Sequence, residues 1–506
     1  MKRLKLTAGV FSLIGACLAS SAVAQDPTNE ASRNEKPNVI LIYADDLGAG
    51  LLGFNGQKII KTPNIDRLAE EGMRFSNAYG AAYCAPARGR LMTGLHCATK
   101  GAFRISQPGL IVQLDEGKIT QEQFDQKIKK SCQPAQEGEI FLAQIAQKAG
   151  YKTAQFGKME FGFTTTHERL KRHGWDHYFG YMDHVRCHGF YPPYLWLNGE
   201  KYSLDGNLNP DAKKKKDDPE GTYSQLVFIE HILKYLDEHK DERFFLYHPT
   251  QLPHGPVAIP EIHSDFENDE RLDETEKKYA SMVKMLDDHV GLIMDRLKQN
   301  KMDQNTVVIF TSDNGHEMYY ANRVKGKAGR AGRSWHGEGD VFNGNMGRAS
   351  KKWYTYEGGI NVPLIVRWPG KIAPGTVSDL QVAEHDIMPT LAELVGTAMP
   401  AGKSGLSYLP TLLGQREKQK RHECLLFGSK GPTIIAGDYK LVHVGAVARK
   451  KKGNRMSPGQ ELFNLKKDPG ERVDLSLSMP EKVEQLETLF RKHGKQPRRD
   501  IPSVSK

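Results

Sequence analysis

Apolar positions along the chain fall into short continuous runs, separated by stretches whose apolar residues recur at helical spacing. Asn38-Val39-Ile40-Leu41-Ile42-Tyr43-Ala44 is almost wholly apolar and ends in Asp45-Asp46-Leu47-Gly48. That pattern predicts a buried parallel strand feeding a loop. Thr62-Pro63 followed by Ile65, Leu68 and Ala69 predicts a helix with proline at its first position, stopped at Gly72. The alternation continues with a helix around Ile140 to Lys148, strands at Lys152 to Phe156 and Phe244 to Tyr247, and a helix from Tyr279 to Leu297. A strand at Val307 to Thr311 then runs into Asp313-Asn314. The expectation is an α/β fold with a mostly parallel central sheet flanked by helices, its ligand site outside the carboxyl ends of the strands. Beyond Leu413-Gly414 come short apolar runs (Cys424 to Phe427, Thr433 to Ala436, Lys440 to Val444, Glu461 to Phe463) and a helical stretch from about Pro480 to Arg491. They predict a smaller C-terminal α+β domain with an antiparallel sheet over 414–506, after a larger domain over 37–413.

The first residues change the picture. Met1, Lys2, Arg3 and Lys5 precede a mainly apolar run from Leu6 to about Ala19, then Ala22-Val23-Ala24. This predicts a signal peptide over 1–24, followed by a polar, disordered lead-in over 25–36. The run is too short and too broken by Gly9, Ser12 and Gly15 for a transmembrane anchor. Lipid anchoring at Cys17 is a minor alternative. The expected product is an exported protein, periplasmic or extracellular. Removing residues 1–24 takes three cations and no acid, lowering the net charge from +10 to +7. A basic surface suits a polyanionic partner, and the runs Lys213 to Lys216, Arg449 to Lys452 and Arg498-Arg499 carry much of it. Their plainer reading is solvated loops. No aromatic stacking motif accompanies them, so nucleic acid is not expected. Of six cysteines, Cys84, Cys97, Cys132, Cys187 and Cys424 remain after cleavage, an odd number with no CxxC pair; a cysteine zinc site is not indicated.

Two polar clusters stand at predicted strand ends. Asp45, Asp46, Asp313 and Asn314 are oxygen donors, suited to a hard cation such as calcium or magnesium. Either pair alone reads better as a loop or helix cap; two clusters at the same edge of one sheet shift the balance. The stretch Tyr83-Cys84-Ala85-Pro86-Ala87-Arg88-Gly89-Arg90-Leu91-Met92-Thr93-Gly94 places Cys84 at a predicted helix N-terminus, where free N–H groups favour an anion. There it is a thiolate nucleophile in its own right or a buried structural cysteine.

Cys84-Ala85-Pro86-Ala87-Arg88 with Leu91-Met92-Thr93-Gly94 resembles the maturation motif of the formylglycine-dependent (type I, arylsulfatase-like) sulfatases of the alkaline phosphatase superfamily. The resemblance runs from Pro37 to near the end, through P-N-V-I-L-I-Y-A-D-D-L-G, G-Y-K-T-A-Q-F-G-K, P-H-G-P, T-S-D-N-G, Y-E-G-G-I-N-V-P, W-P-G-K-I, D-I-M-P-T-L-A-E-L-V-G and E-L-F-N-L-K-K-D-P-G-E. It implies an alkaline-phosphatase-like fold and sulfate ester hydrolysis, with Cys84 oxidised to formylglycine (3-oxoalanine) by a separate maturation system. It further implies Ca2+ held by Asp45, Asp46, Asp313, Asn314 and the modified Cys84. Arg88 would hold the hydrated aldehyde, and Lys158 would contact the nucleophile and a sulfate oxygen. His254 and Lys352 would bind the ester oxygen and assist its departure as an alcohol. The hydrate's second hydroxyl would then expel sulfate without water attack at sulfur.

One departure follows Lys158. The family usually reads G-K-W-H-L-G, whereas here Gly157-Lys158-Met159-Glu160-Phe161-Gly162 puts Glu160 where a histidine commonly takes a proton. Glu160 is either that base or a structural residue; unchanged turnover and pH profile in Glu160→Gln would exclude the base role. A second segment, Asp183 to Trp196, carries His188 and following aromatics and resembles a block in carbohydrate-active members, which makes His188 a candidate substrate contact; a compact core corner is the equal alternative. The stretch His316 to Arg348 is a further candidate polyanion subsite. The expected substrate is a sulfated carbohydrate or another organic sulfate ester. A phosphate or phosphonate ester hydrolase of the same superfamily, and a non-catalytic polyanion-binding protein, are the rivals.

Overall fold

The computed structural model describes residues 36–96, 109–131, 139–159, 164–207, 221–320, 340–428, 432–444 and 459–494. The signal segment, the lead-in to residue 35, Cys17, Cys97, Cys132, Glu160 and the three basic runs lie outside them.

In chain order the strands are β1 (Asn38–Ala44), β2 (Met73–Phe75), β3 (Ala78–Tyr79), β4 (Lys152–Lys158), β5 (His177–Tyr181), β6 (Tyr194–Leu197), β7 (Glu200–Ser203) and β8 (Phe244–Pro249). There follow β9 (Thr306–Ser312), β10 (Leu364–Arg367), β11 (Thr376–Ser378), β12 (Val382–Ala383), β13 (Leu425–Phe427), β14 (Thr433–Ala436), β15 (Tyr439–Val444) and β16 (Gly459–Asn464). Ten of them form one sheet in the order β11-β2-β10-β9-β1-β8-β4-β5-β6-β7. Its centre, β9-β1-β8-β4-β5, is parallel throughout. Both faces of the sheet are covered, which is why β1 reads as a continuous apolar run rather than an alternating one. Ile40, Ile42 and Ala44 enter one core with helices Ser224–Glu238 and Glu274–Gln299; Val39, Leu41 and Tyr43 enter the other with helices Leu142–Lys148 and Ile387–Val395.

Strands β13 to β16 form a separate antiparallel sheet. Helix Pro480–Gly494 covers one face, Leu486 packing with Leu426, Ile434, Leu441 and Leu462. The opposite face meets the main body: Leu425, Phe427 and Ile435 touch Tyr79, Ala82 and Ile360, while Val442 and Phe463 touch Ala349 and Tyr356. The small sheet therefore backs the segment that carries Lys352.

Three boundaries differ from expectation. Strand β4 runs two residues further than Phe156, so Lys158 is its last residue. The helix expected from Tyr279 starts at Glu274, because Asp273 and Glu276 form a reciprocal capping box whose polar turn hides the start from an apolar pattern. Tyr194–Leu197, at the end of the aromatic segment that begins at Asp183 and for which no strand is expected, is strand β6, paired with β5 and β7. Among the described residues no helix is long and apolar enough to cross a membrane.

Candidate active site

The parallel register brings the oxygen donors together. Ala44 of β1 pairs with Ser312 of β9, so Asp45 and Asp313 leave the sheet side by side. Asp46 sits at φ +64°, a left-handed conformation that aspartate tolerates better than most residues. Its N–H donates to Asp313 Oδ1 at 3.0 Å, and the Leu47 N–H donates to Ser312 Oγ at 3.0 Å. Gly157 holds φ +127° where a Cβ would stand 2.3 Å from the Pro249 carbonyl oxygen, so only glycine lets β4 carry Lys158 to this edge.

Cys84 opens a helix, Cys84–Thr93, in which every residue is buried. Arg88 follows one turn later on the same face, and its guanidinium donates through Nη2 to Asp45 Oδ2 and Asp313 Oδ2, both at 3.1 Å. The Lys158 ammonium reaches Asp45 Oδ2 at 2.7 Å. Asn314 Nδ2 donates to Asp46 Oδ1 at 2.7 Å. Lys352 Nζ donates to Asp46 Oδ2 at 2.8 Å and lies 3.1 Å from His254 Nε2 and 3.2 Å from the Tyr319 hydroxyl. Tyr319 also donates to Asp46 Oδ2.

Two acceptors are left over. Asp45 Oδ1 and Asn314 Oδ1 are buried with no hydrogen-bond partner, an expensive arrangement unless something positive fills it. Ligand atoms of Asp45, Cys84 and Asp313 lie within 4.8 Å of one another, as do those of Asp45, Asp46 and His254. Within these groups the carboxylates of Asp45, Asp46 and Asp313, with the Asn314 amide oxygen, are hard oxygen donors that fit calcium or magnesium.

Electrostatics follow from burial and neighbours. Burial works against the Asp45 anion, but Lys158, His254 and Arg88 outweigh it and hold the carboxyl well below its ordinary range. Burial, then the neighbouring Asp45, push the Asp313 carboxyl well up despite Arg88. Lys158 and Lys352 lose to burial but gain more from Asp45 and Asp46, and both stay charged. His254 is pushed down to about 4 by burial, then by Lys352. Its neutral ring donates from Nδ1 to the Gly255 carbonyl and presents Nε2 to the Lys352 ammonium. Burial also raises the Cys84 thiol, against the pull of Lys158 and Lys352. The unmodified thiol is therefore disfavoured as a thiolate, and the helix N-terminus does not overcome its burial.

His188 arrives beside this centre: its ring stacks on His254 with centroids 4.6 Å apart and planes 3° apart. His184 meets His188 edge-on at 4.4 Å. Asp183 pins their loop, accepting hydrogen bonds from the Gly109 and Ile111 amides, the Thr164 hydroxyl and the Val185 amide. The structure thus gathers Asp45, Asp46, Cys84, Arg88, Lys158, His188, His254, Asp313, Asn314 and Lys352 at one sheet edge. Glu160 lies outside the described residues. Sequence reasoning missed Tyr319 and His184. Tyr319 stood inside the His316 to Arg348 stretch without a signal of its own, and His184 is the fourth residue before His188 in a segment already singled out. His316 does not shape a subsite: it is fully buried and bonded to the Tyr320 and Tyr279 hydroxyls.

The family described as Sulfatase matches residues 37–397, and that described as N-sulphoglucosamine sulphohydrolase, C-terminal, matches 344–495. N-acetylgalactosamine-6-sulfatase of Mus musculus is 29% identical over 482 residues, covering 89% of this chain and 84% of that protein. Arylsulfatase A of Homo sapiens is 27% identical, covering 87% and 83%. Among solved structures, Ps i-CgsB in complex with k-i-k-neocarrahexaose superposes with TM-score 0.69 at 25% identity, covering 91% of this chain and 93% of that one. A Bacteroides thetaiotaomicron structure, BT33336S-sulf, gives TM-score 0.68 at 24% identity over 91% and 100%, a likeness of fold. With a family match over most of its length and a buried carboxylate, lysine and arginine centre at the expected sheet edge, the chain belongs to the type I sulfatases, which hydrolyse sulfuric esters.

Proposed function

We propose that the protein is an exported, calcium-dependent sulfatase acting on sulfated carbohydrate, with Cys84 converted to formylglycine by a maturation system. The observation that carries the mechanism is the pair of unpartnered buried oxygens, Asp45 Oδ1 and Asn314 Oδ1, beside Cys84 and Asp313. Asp45, Asp46, Asp313 and Asn314 would hold calcium beside a formylglycine hydrate at position 84, which together would supply an activated oxygen nucleophile and neutralise sulfate charge. Arg88 fixes the orientation of Asp45 and Asp313 toward position 84. Lys158 offers a permanent positive charge to a sulfate oxygen, and losing such a donor typically costs about 10²–10³ in rate. Lys352 and His254 act at the ester oxygen. The ammonium donates a proton to the ester oxygen, which leaves as an alcohol, and the neutral His254 Nε2 keeps the ammonium aimed.

The substrate class is supported by relatives named for a sulfated amino sugar and by a solved structure holding a neocarrahexaose. The basic net charge agrees with a polyanion. Export is supported by the basic and apolar N-terminal run ending in Ala22-Val23-Ala24.

Mass analysis of the peptide bearing residue 84, from protein made in its native host, tests the reading together with turnover of sulfated disaccharides. Formylglycine with turnover is the expected result. Turnover with only a thiol at 84 would refute the modification, and a thiol without turnover would leave a binding protein.

A further inference from the structure

We propose that Trp353 and Tyr83 form an aromatic platform that stacks on the sugar ring carrying the scissile sulfate ester; this rests on the carbohydrate reading above. Trp353 follows Lys352 directly, and Tyr83 precedes Cys84 directly. Their rings stack with centroids 4.8 Å apart and planes 25° apart. The Trp353 backbone amide donates to the Ala82 carbonyl, tying the segment that carries Lys352 to the residues that lead into the nucleophile's helix.

Two features set Trp353 apart from an ordinary packed indole. It is 38% exposed, although Lys352 beside it is buried. It also holds φ +83°, a left-handed backbone that a bulky aromatic adopts only when its surroundings enforce it. Asn343, Met346 and Ser350 share positive φ, so four of the eight such non-glycine residues among those described fall within one short segment. That segment is bent to place Lys352, and glycine at 353 would meet the bend without strain. A tryptophan there carries conformational strain while part of its ring stays open.

The position suggests what the ring receives. Lys352 Nζ lies 5.6 Å from the Trp353 ring centre and 2.8 Å from Asp46 Oδ2. The indole is therefore within the span of a single sugar of the atoms that hold the ester. A sulfated sugar has the two faces such a site needs: an anionic group for Lys158 and Lys352, and an apolar C–H face for an aromatic ring. Inorganic sulfate has only the first.

The full-length, matured, calcium-loaded enzyme provides the test. Sulfated disaccharides are screened with the wild type, and KM, kcat, inhibition by inorganic sulfate and thermal midpoint are then compared for wild type, Trp353→Gly and Trp353→Phe on the best substrate. The platform predicts that Trp353→Gly raises KM about tenfold through loss of stacking, with sulfate inhibition unchanged and the midpoint no lower, and that Trp353→Phe restores most of the loss. An unchanged KM in Trp353→Gly overturns the platform alone. So does a parallel shift of KM, sulfate inhibition and midpoint, which marks the ring as structural support. A wild type that cleaves 4-nitrophenyl sulfate but no sulfated sugar overturns the carbohydrate reading and the platform with it.

Discussion

Two buried ionic clusters share one segment of chain, Lys352 serving the first and Glu357 the second. In the first, Asp45, Asp46 and Asp313 meet Arg88, Lys158 and Lys352 at the carboxyl edge of the large sheet. In the second, Lys440 of β15 pairs with Glu357 at 3.0 Å and Glu471 at 2.8 Å. The second is closed by its ion pairs: the Glu357 amide donates to Glu471 Oε2 at 2.7 Å, Asn361 Nδ2 donates to Glu357 Oε2 at 3.2 Å, and Glu471 Oε1, though without a well-directed hydrogen bond, lies 2.8 Å from the Lys440 ammonium. The first is left open at Asp45 Oδ1 and Asn314 Oδ1. Similar side chains at similar burial thus make a reaction centre where acceptors remain and a strut where they do not. The strut fastens the small sheet behind the segment that positions Lys352.

The sharpest way to separate the two is to remove one element from each. Cys84→Ala is expected to lower kcat/KM by about 10⁴-fold or more, as loss of a covalent nucleophile does, and to leave the thermal midpoint nearly unchanged. Lys440→Met is expected to do the reverse. It strands two buried carboxylates, which should destabilise the protein by about 3–5 kcal/mol in denaturant unfolding. A stable Lys440→Met protein with impaired turnover would invert the assignment of strut and site.

Calcium distinguishes them next. Chelation should abolish turnover reversibly, and calcium at about a hundred times its dissociation constant should stabilise the wild type by about 2.7 kcal/mol. Lys440→Met should show the same increment, because calcium and Lys440 act at separate clusters. Asp45→Asn should lose it. A calcium increment that vanished in Lys440→Met but survived in Asp45→Asn would place the ion at the wrong cluster.

The open cluster was more legible in the sequence than the closed one, and for a physical reason. Asp45-Asp46 and Asp313-Asn314 follow continuous apolar runs, and in a parallel sheet such runs deliver their next residues to one edge whatever the intervening chain does. Cys84 and Arg88 are one helical turn apart in a motif, so their common face is local information. Lys440, Glu357 and Glu471 come from a strand, a short helix and a turn far apart in the chain, and no periodicity links them. Tyr319 is hidden similarly: its approach to Asp46 spans most of the chain. His188 was legible as a residue but not as a position, because only the fold of the Asp183 loop brings it against His254.

The closed cluster can also be read through pH. Burial, with repulsion from Glu357, lifts the Glu471 carboxyl to about 7 against the pull of Lys440, from an ordinary value of 4.5. Between those values the folded protein holds a proton that the unfolded chain has released. Stability from this group is thus fully present below 4.5 and is lost as pH rises toward 7, with a limiting slope of about 1.4 kcal/mol per pH unit. Glu384, bonded to the Tyr43 hydroxyl and lifted to about 8 by burial, adds a slope of the same sign. The informative quantity is therefore the difference between two curves. Glu471→Gln keeps the shape, cannot ionise, and leaves Lys440 paired one to one with Glu357. Its unfolding free energy should fall less steeply than the wild type's between about pH 5 and 7. Parallel curves would show that Glu471 is already ionised in the folded protein, and that the strut carries its second negative charge openly.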